Sequence, residues 1–173
     1  MELYEYGILT EQSDIRAHVS VACRSVFVFQ TQKAIHALNN REYRIVSAYQ
    51  PGCNEPTAKG WIVPPNDIDD LRHLNCGNWS GWSEFTNSMT TSQKGNHAVE
   101  LVLELMRLGH FPIWLENQKE TRDTEIQIKG ADIVVHMNKK VQIKCDWKAG
   151  PKADGGSGNL FLQKSERNPH KYT

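Results

Sequence analysis

Several common signals are missing from this chain, and each absence removes a class of protein. Net charge is missing: 20 Lys and Arg balance 20 Asp and Glu, with the seven histidines neutral. On average, then, the chain is neither a strongly basic nucleic-acid binder nor an acidic disordered segment. No apolar run approaches the roughly 18 residues of a membrane span. The opening MELYEYGILTEQSD has neither the basic n-region nor the apolar h-region of a secretory leader, so a soluble, cytoplasmic protein with no membrane partner is expected. The four cysteines, Cys23, Cys53, Cys76 and Cys145, form no C-x-x-C pair and read as reduced thiols. One H-x-x-C pair, His73 with Cys76, has no second pair to complete a zinc site. Internal repeats and low-complexity segments are also missing.

What is present describes an ordinary globular protein. The chain has 173 residues, 39% of them hydrophobic and 23% charged, which suits one domain or one core with a lobe attached. The zero net charge hides an asymmetry. Residues 1–90 carry seven basic and ten acidic side chains, a net of −3, and residues 91–173 carry thirteen and ten, a net of +3. From Lys139 onward eight basic residues face three acidic ones. A local basic footprint is what neutralises phosphates and releases counterions, so Lys139, Lys140, Lys148 and Lys152 are candidate DNA contacts. The bland explanation is a solvated Lys-rich surface.

Residues 23–30 (CRSVFVFQ) and 41–50 (REYRIVSAYQ) are β-branched and aromatic runs expected as strands, with a short helix over 30–38 between them that stops at Asn39-Asn40. Pro64-Pro65-Asn66-Asp67 sets up a second short helix, IDDLRHL at 68–74. The polar stretch Asn75–Ser92 around Trp79, Trp82 and Phe85 is expected as a loop pinned by aromatic anchors. Such rings stack on bases in single-strand binders, but more commonly form an apolar cluster under a loop.

The strongest local pattern follows. Ala98, Leu101, Val102, Leu105 and Leu108 hold helical spacing, so a helix is expected from about Gln93 to Leu108, capped by Ser92 and stopped by Gly109. Glu100 and Glu104 lie one turn apart on it, with His97 three residues before Glu100. Carboxylates on a largely buried helix must reach solvent, a cation or a metal. A stretch FPIWLE (111–116), a polar loop (117–124) and EIQIKGADIVVHM (125–137) come next, the last expected as a strand. A turn at Asn138-Lys139-Lys140 then leads into a strand at 141–147, VQIKCDW. GPKADGGSGN (150–159) lacks a phosphate-binding fingerprint and is expected as a flexible loop beside the phosphate backbone, followed by a last element with basic contacts.

Side chains two apart on a strand share a face, so Gln142 and Lys144 point one way and Val141, Ile143 and Cys145 the other. If the turn pairs the two strands antiparallel, Asp132 lies across from that polar face. An Asp and a Lys on otherwise apolar strands serve each other or a ligand. A divalent ion held by Asp132, with the Ile143 carbonyl and Gln142 as further oxygens and a helix carboxylate nearby, would suit phosphodiester hydrolysis. An ion pair that merely fixes the sheet accounts for the same spacing.

With these residues in view, KGNHAVELVLELMRLGHFPIW (94–114), GADIVV (130–135) and VQIKCDWKAG (141–150) together resemble the PD-(D/E)xK nuclease superfamily. The likeness is to its Q-x-K branch, beside Holliday-junction resolvase-like and restriction-type endonucleases, and covers roughly 92–148. It implies an α/β, restriction-endonuclease-like core of mixed sheet flanked by helices at 91–173, with residues 1–90 as an N-terminal α+β lobe. It further implies a Mg2+- or Mn2+-dependent DNA endonuclease, with a homodimer if both strands are cut. Carried over, Asp132 is the metal ligand, Gln142 holds the usual second acidic position and Lys144 is the catalytic lysine. Glu100 is the first choice of helix carboxylate and Glu104 the second. Gln142 in place of an acid weakens metal binding, so the alternative is a catalytically inactive DNA- or protein-binding relative. The loop at 117–124 lengthens the spacing and leaves Asp123 and Glu125 as substitutes. A third class, a small-molecule enzyme using His97 and the H-x-x-C pair, predicts a closed apolar pocket and no DNA affinity.

Overall fold

The computed structural model describes residues 13–48, 58–110, 133–135 and 139–164. Within them the chain is mixed α/β, with two sheets and two α-helices. Strand β1 (Ile15–Ser20) turns through Val21–Arg24 into β2 (Ser25–Gln30), and α1 (Thr31–Asn40) follows. Then come β3 (Ile45–Ala48), β4 (Ala58–Val63), β5 (Arg72–Asn75), α2 (Thr91–Arg107), β6 (Ile133–Val135), β7 (Lys139–Cys145) and β8 (Leu160–Lys164). The larger sheet has the order β5-β2-β1-β7-β6, and the smaller is β3-β4-β8. The only parallel pair among the described strands is β1 with β7, in the register Arg16↔Gln142 and His18↔Lys144. The division drawn at residue 90 therefore runs through the larger sheet: β1, β2 and β5 come from before it, β6 and β7 from after.

Alternation sorts the larger sheet's side chains onto two faces. Ile15, Ala17, Val19, Val26, Val28, Val141 and Ile143 share one buried cluster with Leu101, Val102 and Leu105 of α2. Phe27 and Phe29 point the other way, into a second cluster with Ala34 of α1, Val63 of β4 and Leu160 and Leu162 of β8. The polar residues Arg16, His18 and Gln142 lie on that second face and are nonetheless buried.

Several expectations shift by local physics. Helix α2 begins earlier than its apolar spacing indicates, because Thr90, not Ser92, caps it: Gln93 N–H donates to the Thr90 hydroxyl, and the Gln93 side chain accepts from Thr90 N–H. The short helix expected at 68–74 is instead a 3-10 turn at Pro65–Asp67 followed by β5, since Asp70 turns the chain at φ +61 and Arg72–Asn75 completes the free edge of β2. Strand β3 starts at Ile45, later than the run beginning at Arg41 indicates. α1 continues through Asn39 and Asn40. Lys139 and Lys140, expected in a turn, already belong to β7, paired with Val135 and Val134. The aromatic anchors of the 75–92 stretch do sit under it: Trp82 and Phe85 are buried against α2 around a 3-10 turn at Ser80–Glu84.

The Gly-rich segment expected to be flexible is closed by backbone hydrogen bonds from Gly150 N–H to Asn159 O, Gly158 N–H to Gly150 O and Ser157 N–H to Lys148 O. Gly150 has φ +104 and passes so close to the Phe27 ring that a Cβ would stand 2.6 Å from it. The stretches 111–116, 117–124 and 125–132 and the end from 165 lie outside the described residues.

Seating α2 on the sheet should outweigh capping it. Leu101 is fully buried, so Leu101→Ala should cost about 2–5 kcal/mol in urea denaturation. Thr90→Ala should cost about 1 kcal/mol. A smaller loss at Leu101 than at Thr90 would show that α2 is not anchored as described.

Candidate functional site

The parallel pairing places a polar cluster on the face of the larger sheet away from α2. Gln142 and Lys144 alternate with Val141 and Ile143 on β7, and their partners in register are Arg16 and His18 of β1. Lys144 is half-buried. Its Nζ donates to Gln163 Oε1 at 3.1 Å and lies over the Phe161 ring, 4.8 Å from its centroid. Asp146, two residues beyond Lys144, accepts at one oxygen from His18 Nδ1 at 3.0 Å and from Phe161 N–H at 2.8 Å. With Asp146 as the acceptor, this bond is made by the Nδ1–H tautomer of His18, which leaves a lone pair on Nε2. Ser20, next along the same face of β1, donates to Ala149 O at 2.6 Å and fastens the chain after β7 to the strand beside it.

Three buried side-chain atoms of this cluster make no hydrogen bond within the protein: the acceptors His18 Nε2 and Gln142 Oε1, and the donor Arg16 Nε. A buried polar atom left in that condition costs roughly 1–3 kcal/mol, so a core would ordinarily replace or satisfy it. The electrostatics agree with burial. Desolvation lowers the Lys144 ammonium from its ordinary 10.5 to about 8, against the pull of Asp146 and with a further push from Arg16. Desolvation likewise lowers His18, opposed by its bond to Asp146. The neighbouring Cys145 thiol is pushed up to about 11 by burial, which keeps it protonated and unreactive.

The residues expected to converge are only partly brought together. Gln142 and Lys144 share the polar face, while the Ile143 side chain lies on the α2 face. Glu100 and Glu104 are exposed on α2, across the sheet from Gln142 and Lys144. Helical spacing shows which side of α2 is polar but not which face of the sheet the helix covers. Glu104 accepts from Trp79 Nε1–H at 3.3 Å. Glu100 and His97 line an open cleft of about 610 Å3 with Thr86, Met89, Gln93 and Asn96, and His97 Nε2 donates to Gly81 O at 2.8 Å. Lys139 and Lys140 begin β7, and the exposed Lys148 and Lys152 lie beyond its other end. Asp132, Asp123 and Glu125 lie outside the described residues. The antiparallel pairing on which the reading of Asp132 rested is present, as Ile133↔Val141.

His73 and Cys76 do not act as a pair: His73 Nε2 bonds the Ser25 hydroxyl, and the Cys76 thiol donates to Leu74 O. Among the described residues no group of three or more His, Cys, Asp or Glu is arranged to hold a metal ion. None of their helices is long and apolar enough to cross a membrane.

Sequence reasoning missed Arg16, His18, Asp146 and Gln163. The signal for the first two was the alternation in IRAHVS, and for Asp146 the continuation of Gln142 and Lys144 at the same two-residue spacing. Nothing local marks Gln163. Comparison with protein-family models, curated proteins and solved structures finds no match to the chain.

The depressed Lys144 ammonium gives a pH signature. Between about 8 and 10.5 the unfolded chain binds more protons at this position than the folded one, so stability should rise with pH through that window. Below about 8 both states are charged and the penalty is constant. In denaturation measured from pH 7.5 to 10, wild type should gain stability relative to Lys144→Met as pH rises; parallel curves would place Lys144 in solvent.

Proposed function

We propose that the chain is a metal-dependent DNA endonuclease with a restriction-endonuclease-like core, in which β7 carries the Q-x-K motif. The observation that carries this reading is the side-by-side placement of Gln142 and Lys144 on an inner strand, with Gln142 Oε1 buried and without a protein partner. An orphaned amide oxygen is one neutral donor of the hard-oxygen kind that Mg2+ or Mn2+ takes. Asp132, Gln142 and the Ile143 carbonyl would hold the ion, which would supply Lewis-acid polarisation of the phosphoryl oxygen.

The chain's own residues supply the rest. Lys144, aimed by Gln163 and Phe161, stabilises negative charge developing on the phosphoryl group. Lys139 and Lys140 open β7, Lys148 and Lys152 follow its other end, and the strand between them spans about 20 Å. That spread suits several phosphates of one DNA backbone. Glu100 and Glu104, across the sheet, are left out of the proposed site. The same observation favours a second reading, an inactive relative that binds DNA or protein without cutting.

Supercoiled plasmid incubated with Mg2+ or Mn2+ decides between them. Nicking or linearisation by wild type should fall at least 100-fold in Asp132→Ala and Lys144→Ala, with circular dichroism unchanged. Retained cleavage in both variants would refute the site. Salt-dependent DNA binding without cleavage by wild type would establish the second reading. Lys148→Ala and Lys152→Ala should each lower the salt slope of binding by about 1.

A further inference from the structure

His18 has no place in the Q-x-K reading, yet it sits in register with Lys144 and on the same face as Gln142. Its ring is fully buried, tilted against Phe29 with centroids 5.3 Å apart, and its Nδ1 is tied to Asp146 at 3.0 Å. A carboxylate on one ring nitrogen fixes the tautomer and leaves the other nitrogen as a base. That other nitrogen, Nε2, is buried and makes no hydrogen bond within the protein. A bare ring nitrogen accepts a proton and does not take an anion, so what it fits is a proton donor such as water.

We propose that His18, oriented by Asp146, is the general base for the hydrolysis, taking a proton from the attacking water. The inference rests on the nuclease reading and adds a residue to it. The water oxygen bonds to phosphorus as the P–O bond to the leaving oxygen breaks. The water's proton passes to Nε2, and Asp146 stabilises the imidazolium so formed. The leaving oxygen takes a proton from solvent, and His18 later returns its own to solvent. One water and one phosphodiester thus give one phosphomonoester and one alcohol. Burial favours the neutral ring, the form that can accept a proton. The half-buried Lys144, partner of His18 in register, places the edge of the cluster at the surface, where a phosphate would arrive.

Plasmid cleavage and DNA binding are measured side by side for wild type, His18→Ala and His18→Gln, each with and without added imidazole. The expected result is a fall in turnover of roughly 100- to 10,000-fold in both variants, with DNA affinity unchanged and partial recovery of His18→Ala by imidazole. A His18 with only a packing role would give no such recovery. Full cleavage by a folded His18 variant would overturn the inference and leave the nuclease reading standing. Absence of cleavage by wild type would overturn that reading and this inference with it. If the variants do not fold, the nitrogen resonances of His18 in 15N-labelled wild type decide. A proton on Nδ1 with a bare Nε2 supports the assignment, and a proton on Nε2 overturns it.

Discussion

The parallel pairing of β1 with β7 is the constraint on which the rest of this structure depends. It joins residues more than 120 positions apart, so neither strand can be buried on both sides until both halves of the chain have met. Non-local pairing of this kind carries a high loop-closure cost before any contact offsets it. What offsets it is the sorting of side chains. With Ile15 against Val141 and Ala17 against Ile143, one face becomes continuously apolar and α2 can seat on it. A slip of β7 by one residue would turn Gln142 and Lys144 toward that helix and Val141 and Ile143 away from it.

The other face shows how buried polar groups are tolerated. Strand β8 serves it with alternate residues: Leu160 and Leu162 join Phe27 and Phe29 in the second cluster, while Phe161 N–H and Gln163 Oε1 satisfy Asp146 and Lys144. Asp146 in turn continues the β1–β7 ladder, since its N–H donates to Val19 O, so the residue that orients His18 is itself held by the backbone pairing. Ser20 then fastens Ala149, and Gly150 passes over Phe27 with no room for a side chain. A charge change at Lys144 or Asp146 is therefore felt by two strands and the segment that follows β7, which is how low-dielectric networks differ from surface ion pairs.

Legibility in the sequence followed locality. Helix α2 was readable because its apolar spacing is self-contained, and β2 because Val26–Phe29 is β-branched and aromatic. The equivalence of Gln142 and Lys144 was readable because a two-residue period needs no tertiary information. β1 escaped notice because Arg16 and His18 interrupt its apolar residues, and only a buried partner strand makes IRAHVS an inner strand. β5 escaped because His73 and Leu74 gain strand conformation from the edge of β2. Thr90 lost to Ser92 as the expected cap because both are good caps, and the reciprocal bond to Gln93 decides. The side of the sheet on which Glu100 falls depends on where α2 docks, which no helical wheel contains.

The charge asymmetry with which the sequence began also changes meaning. Counting Lys residues after position 139 treats Lys144 as equivalent to Lys148 and Lys152, but the three differ in kind. Lys148 and Lys152 are exposed and act through long-range potential, which salt screens. Lys144 is drawn inward, loses much of its preference for the charged state and is aimed by Gln163 and Phe161. A screened surface charge can attract a phosphate without distinguishing a ground state from a transition state. A fixed cation in a partly desolvated cluster can distinguish them, because its field does not have to reorganise as charge develops. In the proposed endonuclease, the register that pairs His18 with Lys144 would therefore do more than build the sheet: it would put a neutral base and a fixed cation side by side on one face, which a merely basic surface does not supply.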